Sequence, residues 1–430
     1  MCVIFIIFVE RCDFVKTFQS KFDSAKINMK ASVDYMVKTI TDICEKIGPR
    51  APGSEAELKA QQYMGEDLKK WSDKIEIEEF TVHRQAFMGF IPFTVVMAIL
   101  ATVLFFTPYP LVGFILTILG FIPLVLEFVM YKQFCDPLFK GHTSHNLIAT
   151  RSPKGEVKKR IILVAHSDSQ YEWILNYKLG GAGMKAFLIP GVVGLIVCSI
   201  ASIIKAIVVD FKKIDTPESE TFFLIVGIIL CLFIVPYVGF FFLQSYTKSV
   251  PGANDNLSGC LGCMSVLKHL EEADVRFENT EVRVILSGSE EAGLRGAKAY
   301  AKAHKDELTQ IETVVVACDT LRDLKDMAVY DRDLSGTLKH DKQVKELVKK
   351  AALNCGHDLP YSSIYLGACD AAAFTQAGIK ATGFAAMDPT PPRYYHTRLD
   401  TPEMLCPDAL EVGAEILLET VCLYDEEGLQ

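Results

Sequence analysis

The sequence predicts an α/β layered fold, with a mixed, mostly parallel sheet flanked by helices, into which two transmembrane helical hairpins are inserted. Short apolar runs alternate with helical patterns along much of the chain, and this alternation is typical of parallel strands joined by helices. Two other stretches are each long enough to cross a bilayer twice and carry very little charge. The mean hydropathy of +0.24, high for a soluble protein, agrees with membrane insertion.

Composition and charge exclude several classes of protein. The 430 residues are 50% hydrophobic and 23% charged, which is incompatible with a disordered, collagen-like or coiled-coil chain. The net charge is −9 and there is no long basic run, so nucleic-acid binding is excluded as a function. The 13 cysteines are too few and too scattered for a disulfide scaffold, and they fit reduced thiols that pack as small core residues.

The first hairpin is predicted from the stretch between Arg84 and Glu127, which contains no charged residue. Its length accommodates two crossings of about 20 residues each. The prolines of Thr107–Pro110 end one helix and begin the next, so we expect helices over 87–106 and 110–131.

The second hairpin is predicted from two uncharged segments, 186–204 and 221–247, joined by the polar connector 210–220. The alternative is a set of helices buried in a soluble core, but such helices would show a polar stripe that these segments lack. The chain is therefore predicted to consist of an N-terminal extension (1–28), two hairpins (87–131 and 186–247) and a discontinuous α/β domain (29–86, 132–185 and 248–430).

The α/β domain is predicted to contain six strands and six helices. The strands are 74–82, 146–151, 160–165, 281–286, 313–317 and 379–385. The helices are 31–47, 55–71, 257–272, 292–305, 341–355 and 403–424. Functional groups collect at the carboxyl ends of strands in such sheets, which directs attention to the residues that follow each strand.

Histidines and carboxylates follow four of these strands and precede one helix. They are His166, Asp168, Asp255, Glu290, Glu291, Asp319 and His396. Taken singly, each has an ordinary explanation, such as a surface pair, a helix cap or a solvated helix start. Taken together at one sheet edge, they form a mixed nitrogen and oxygen ligand set that suits zinc or a similar divalent ion.

Six stretches make this pattern specific, and they lie at 47–54 (Ile-Gly-Pro-Arg-Ala-Pro-Gly-Ser), 164–169, 252–259, 289–296, Asp319 and 395–401. With them the chain resembles metallopeptidase family 28, the co-catalytic zinc peptidases that include leucyl aminopeptidases and the glutamate carboxypeptidase II group. The resemblance implies a zinc-peptidase-like sheet and two zinc ions per chain. No other cofactor is expected.

The resemblance also implies a role for each residue. His166 and Asp319 would hold one zinc, Glu291 and His396 the other, and Asp255 would bridge them. Glu290 would be the general base for a zinc-bound water. Asp168 would hydrogen-bond His166, and Tyr395 would face the oxyanion. Two departures from the family stand out: 89 residues separate His166 from Asp255, and Cys369-Asp370-Ala371 replaces the family's Ser-Asp-His.

Connectivity constrains the membrane topology. Ligands lie on both sides of the second hairpin, so each insertion must cross the bilayer an even number of times to bring them together. Four spans with the whole catalytic domain on one face satisfy this. Lysine and arginine near the span ends are more numerous on the catalytic side, which predicts a cytoplasmic catalytic domain.

The favoured function is a membrane-anchored zinc-dependent exopeptidase of aminopeptidase type, with peptide substrates and the lipid bilayer as its partners. Carboxypeptidase or dipeptidase activity, a glutaminyl-cyclase-like activity and a non-catalytic membrane scaffold are the alternatives. A transporter is disfavoured because the spans have no charge at their centres.

Overall fold

The computed structural model describes residues 17–18, 28–214, 216–364 and 367–430. Except for residues 17, 18 and 28, the predicted N-terminal extension lies outside the described residues. The strands are β1 (Lys74–Val82), β2 (His142–Arg151), β3 (Lys159–His166), β4 (Thr280–Ser287), β5 (Glu312–Leu321), β6 (Met327–Asp333), β7 (Leu338–Lys339), β8 (Tyr361–Ser363) and β9 (Lys380–Ala386).

The helices fall into two groups. Those of the α/β domain are α1 (Met29–Lys46), α2 (Glu55–Trp71), α9 (Gly259–Glu272), α10 (Arg295–Ala303), α11 (Lys305–Gln310), α12 (Lys342–Asn354), α13 (Asp370–Gln376) and α14 (Pro407–Glu427). Those of the apolar insertions are α3 (Ala86–Gly89), α4 (Ile91–Leu104), α5 (Pro110–Pro123), α6 (Ile174–Lys205), α7 (Pro217–Cys231) and α8 (Ile234–Phe241).

The strands form one mixed sheet in the order β1-β2-β4-β3-β5-β9-β6-β7, with β8 beside β6. The four central strands β4, β3, β5 and β9 are parallel, whereas the outer pairs are antiparallel, except that β8 pairs with β6 in parallel. The mixed sheet is therefore confirmed, with its parallel pairs concentrated at the centre. Parallel strands need helices on both faces, and this requirement explains the continuous apolar run Ile161–Ala165 in β3.

Two cores lie on the two faces of the sheet. Side chains from β3 alternate between them, Ile161 and Leu163 on one face and Ile162 and Val164 on the other. The first core is completed by α1, α2, α9, α12 and α14. The second is completed by α10 and α13 together with the bases of the apolar insertions. The insertions thus pack on the sheet as an ordinary helix layer would.

All six predicted strands are present, but three strands at one end of the sheet, β6, β7 and β8, are missing from the prediction. β6 contains three charged residues, and β7 and β8 have two and three residues, so none shows a readable period. One predicted strand boundary is wrong next to a candidate site residue. The predicted strand 313–317 continues to Leu321 through a bulge between Asp319 and Leu321, which places Asp319 within the strand.

Four helical stretches are long and apolar enough to cross a membrane among the described residues. They are Ala86–Leu104, Pro110–Val129, Ile174–Phe211 and Pro217–Phe241. The third begins 12 residues before the predicted start and is kinked at Gly180, where φ is 71°. The fourth ends at Phe241 instead of 247. Their outer surfaces expose large apolar side chains, which disfavours helices buried in a soluble core.

The stability of the α/β domain should depend on pH through His269 in α9. Burial lowers the pKa of this histidine to about 4, and its Nε2 lies 3.1 Å from the Ser32 hydroxyl. Above pH 6.5 the ring is neutral in both the folded and unfolded states. As pH falls from 6.5 toward 4, the unfolded state takes up the proton first, so up to about 3 kcal/mol of folding free energy is lost.

We therefore predict that His269→Gln reduces the drop in unfolding temperature between pH 7.5 and pH 5 by several degrees. Thermal unfolding at the two pH values measures the effect, and His357→Gln, in a surface loop, is the control. An identical drop in wild type and His269→Gln would contradict the assignment.

Candidate active site

The predicted site residues converge at the carboxyl edge of the central strands. His166 is the last residue of β3, and Asp319 lies at the bulge of β5. Glu290 and Glu291 form a 3₁₀ turn after β4. The loop after β9 supplies His396, and an irregular segment before α9 supplies Asp255. Strands that run parallel in register bring these ends together, as the sequence predicts.

The Asp255 carboxylate lies between the two imidazoles, with a different oxygen toward each. Its Oδ1 is 3.2 Å from Nε2 of His166, which is also 3.7 Å from Asp319 Oδ1. Its Oδ2 is 3.1 Å from Nε2 of His396, which is also 3.2 Å from Glu291 Oε1. The donors therefore form two sets that share one carboxylate.

These separations fit zinc. Ligand atoms about 2.0–2.1 Å from a tetrahedral zinc lie about 3.3 Å from each other, close to the four distances above. Asp255 Oδ2 and Glu291 Oε1 are buried and have no hydrogen-bond partner among the described residues. Unsatisfied buried carboxylate oxygens are costly, and a cation between them would remove that cost. The donor set thus fits a metal by distance and by chemistry.

The pKa values of the clustered side chains indicate that the cluster favours a bound positive charge. Burial raises the pKa of Glu290 well above its ordinary value, and the neighbouring Glu291 adds to the increase. Burial opposes protonation of His396, but Glu291 and Asp255 outweigh it and raise the pKa of the imidazole to about 9. These side chains therefore bind protons more readily than usual. A divalent cation bound among them would replace those protons.

Asp168 does more than the sequence predicts. Its Oδ1 is 3.4 Å from Nδ1 of His166, the residue with which it is predicted to form a hydrogen bond. In addition, Oδ1 accepts the backbone N–H of Glu290 at 3.0 Å, and Oδ2 accepts that of Glu291 at 3.1 Å. The preceding Ser289 has φ 54°, a left-handed conformation that needs such support. Asp168 thus fixes an imidazole and the acidic turn together.

Arg50 holds the site together and is absent from the sequence-predicted set. Its side chain is fully buried, and its three shortest bonds go to the backbone carbonyls of Ser167 at 2.8 Å, Pro251 at 2.7 Å and Gly252 at 2.7 Å. These carbonyls lie on either side of the second insertion, next to His166 and Asp255. The sequence does single out Arg50, because this residue belongs to the 47–54 motif. The spacing of the motif does not show which carbonyls the side chain binds.

Asp400 and Asn256 position the remaining loops. Asp400 accepts the N–H of Asn254 at 2.9 Å through Oδ1 and that of Asp255 at 3.0 Å through Oδ2. The Asn256 side chain bonds the Cys318 carbonyl at 2.9 Å and the Thr320 N–H at 3.0 Å, flanking Asp319. Both residues lie in motifs that the sequence shows without revealing their targets.

The donors line a cavity. Tyr395 lies in its wall, with its ring stacked at 3.7 Å on His396. The Trp173 ring meets His396 edge-on at 4.5 Å, and its indole N–H has no hydrogen-bond partner among the described residues. The remaining wall is largely apolar and comes from the first insertion, namely Phe87, Met88, Phe128 and Tyr131.

The first insertion is anchored to the acidic turn by a buried ion pair. Arg295, which begins α10 just after that turn, contacts Glu127 at 2.6 Å and Asp136 at 2.7 Å. Arg295 and Glu127 are 2% and 1% exposed, so the pair is shielded from water. Phe87 packs so closely on Gly293 that a Cβ there would lie 2.9 Å from its ring. Glu127 lies in the π-helical end of the second span.

The second insertion is anchored to the His396 loop in a similar way. Just before α6, Glu172 forms two bonds to the Arg398 guanidinium, at 2.5 and 2.7 Å. The backbone N–H of Trp173 donates to the His396 carbonyl at 2.7 Å. Each insertion therefore rests on a loop that carries donor residues.

A second group of possible metal ligands, Asp333, His340 and Cys369, lies nearby in the described part of the chain. In this group the Asp333 carboxylate already accepts hydrogen bonds. Asp333 accepts the backbone N–H groups of Leu334 at 2.6 Å and Cys369 at 3.2 Å, and His340 Nε2 lies 3.3 Å away. The group is explained as a hydrogen-bonded core cluster.

Comparison with known proteins supports the same interpretation. Residues 240–421 match the model of peptidase family M28. An aminopeptidase from Aneurinibacillus sp. strain AM-1 and a zinc aminopeptidase from Bacillus subtilis each superpose with a TM-score of 0.52 at 16% identity. The alignments cover 91% and 92% of this chain and 93% and 94% of those chains. No curated protein sequence matches.

A glutaminyl cyclase from Bacteroides thetaiotaomicron bound to N-acetylhistamine is equally similar, with a TM-score of 0.52 at 13% identity over 92% of this chain and 97% of that one. At such identities the structural likeness shows the fold. The family match covers residues 240–421, which contain Asp255, Glu290, Glu291, Asp319 and His396. Residues 240–421 therefore match the peptidase family M28 model, which confirms the predicted resemblance.

Substitution of Arg50 should weaken zinc binding at the site. Arg50→Lys retains the charge but cannot reach three carbonyls in different segments, so we predict a 10- to 100-fold weaker zinc affinity. Zinc titration against a competing chelator measures it, with Arg276→Lys at a surface ion pair as the control. Unchanged zinc affinity in Arg50→Lys would show that the loops hold their positions without it.

Proposed function

We propose that the protein is a membrane-anchored zinc exopeptidase of aminopeptidase type, with two zinc ions at the site. The observation that carries the proposal is the Asp255 carboxylate, whose two oxygens face two separate donor sets. In this assignment His166 and Asp319 would hold one ion, His396 and Glu291 would hold the other, and Asp255 would contribute to both. Bound zinc supplies Lewis acidity that polarises the scissile carbonyl and favours deprotonation of water.

The protein's own residues then supply positioning and proton transfer. Glu290 lines the cavity, and its Oε2 lies 3.9 Å from His166 Nε2. It is assigned as the base that takes a proton from the attacking water and gives it to the leaving amine. Its burial and its acidic neighbour raise its proton affinity, which suits a group that must hold a proton between the two steps. Asp168 keeps its backbone in place.

Substrate contacts are assigned to the aromatic side of the cavity. Tyr395 borders the donors and is assigned to the developing oxyanion. Trp173 offers an unpaired indole N–H that can donate to a second substrate carbonyl. Gln170 donates to Glu291 Oε2 at 2.7 Å and so orients that ligand.

The membrane part of the proposal follows from the four apolar helical stretches and the convergence of the donor loops. Each insertion leaves the α/β domain and returns to it, which needs an even number of crossings. The proposed domain boundaries are those predicted from the sequence, except that the second insertion begins at Ile174. The charge distribution near the span ends favours a cytoplasmic catalytic domain.

The direct test of the chemistry is Glu290→Gln. We predict a 10²- to 10⁴-fold loss of kcat with unchanged zinc content, because the amide fills the same space but cannot accept the proton. Release of amino acids from peptide amides gives the rate, and Glu278→Gln, at an exposed site, is the matched control.

Chelation should abolish the activity of wild type and control alike, and added zinc should restore both. Full activity in Glu290→Gln would remove this residue as the base. Loss of ammonia from N-terminal glutamine, with no residue released from any peptide, would favour the glutaminyl-cyclase alternative that the fold comparison also supports.

Topology can be tested with two epitope tags in sealed inverted vesicles. A tag after Gln430 should be removed by added protease, whereas a tag in the 212–214 connector should be protected. Both follow from a cytoplasmic catalytic domain and paired spans. The reverse pattern would place the catalytic domain on the other side, and removal of both tags would contradict the hairpins.

A further inference from the structure

A second cavity lies between the two apolar insertions. We name it the inter-hairpin cavity. It is lined by α4 and the end of the second span from the first insertion, and by α6 and α8 from the second. Its walls include Val95, Ala98, Leu124, Leu195 and Phe240. Thr94, a polar residue in the lining, is satisfied by a bond to the Gly120 carbonyl at 3.0 Å.

The inter-hairpin cavity and the active-site cavity have walls from the same two stretches of chain. Phe87 and Met88 line the active-site cavity, and Phe90 and Ile91, about one helical turn further along, line the inter-hairpin cavity. In the second span, Phe128 lines the former and Leu124 the latter. The apolar wall beside the donors thus continues into the space between the insertions.

The chemistry of the two cavities differs in a way that defines a substrate. The active-site cavity has carboxylates and imidazoles on one side and Phe87, Met88 and Phe128 on the other. The inter-hairpin cavity has no charged side chain in its lining. From Met88 to Ala98 the chain rises about 15 Å along the helical stretch. A molecule that fills both spaces has an amide at one end and a long apolar chain at the other.

We propose that the substrate carries a long apolar chain next to the scissile amide, and that this chain occupies the inter-hairpin cavity. The proposal rests on the proposed peptidase function and adds a substrate class to it. The chain is a long aliphatic side chain on the residue whose amide is cleaved. A lipid acyl chain from the bilayer has the same apolar chemistry, and the experiment below separates the two.

The test uses full-length protein in phosphatidylcholine nanodiscs. The substrates are amino acid anilides whose side chains lengthen from alanine through norvaline and norleucine to 2-aminodecanoic acid. For wild type, kcat/KM should rise about fourfold per added methylene, the value expected for transfer of a methylene from water to an apolar site. The readout is the ratio of kcat/KM for the longest substrate to that for alanine.

Three variants separate the cavity from the bilayer. Ala98→Phe fills the cavity and should bring the ratio close to one. Leu195→Ala enlarges it and should favour longer chains, a gain that a folding defect would not produce. Val96→Phe, on the outward face of the same helix with 41% exposure, should retain the wild-type ratio.

Each outcome has a defined meaning. A ratio near one in wild type, or an equal ratio in all variants, overturns the proposal, and the latter result means that only the bilayer concentrates the longer substrates. If no anilide is hydrolysed in a zinc-dependent reaction, the proposed peptidase function itself fails. Zinc-dependent hydrolysis with a flat chain-length profile leaves that function standing and removes the apolar subsite alone.

Discussion

The position of one carboxylate, Asp255 between His166 and His396, is the constraint on which the rest of the structure depends. Several acidic side chains are buried within a few Å of each other, and their repulsion is tolerable only if positive charge lies among them. The surrounding structure holds this unfavourable arrangement in place. Arg50 and Asp400 do so through backbone groups, which leaves the donor oxygens of Asp255 facing the two imidazoles.

The two apolar insertions are part of this support. The first is tied to the acidic turn through Arg295 and Glu127, and the second to the His396 loop through Glu172 and Arg398. A buried ion pair is a weak source of stability but is costly to break on one side, so it fixes where the insertion sits. The active-site cavity therefore has the α/β domain on one side and the insertions on the other.

Much of this could be predicted from the sequence because the central strands are mostly apolar and lead into polar residues. That pattern located His166, Glu290 and Glu291 correctly, and motif order added Asp255 and His396. It ended the strand at 317, before Asp319, because a β-bulge changes register without a compositional signal. The roles of Arg50 and Asp400 depend on backbone atoms far away in the chain, which no local pattern encodes. The early start of α6 was missed because Gly180 and the polar residues before 186 resemble a linker.

The most direct measurement of the central claim is a crystal structure of the zinc-loaded protein with anomalous diffraction at the zinc edge. Two peaks should appear, one on each side of the Asp255 carboxylate, the first against His166 and Asp319 and the second against His396 and Glu291. One peak alone, or zinc at Asp333, His340 and Cys369 with none at Asp255, would contradict the account.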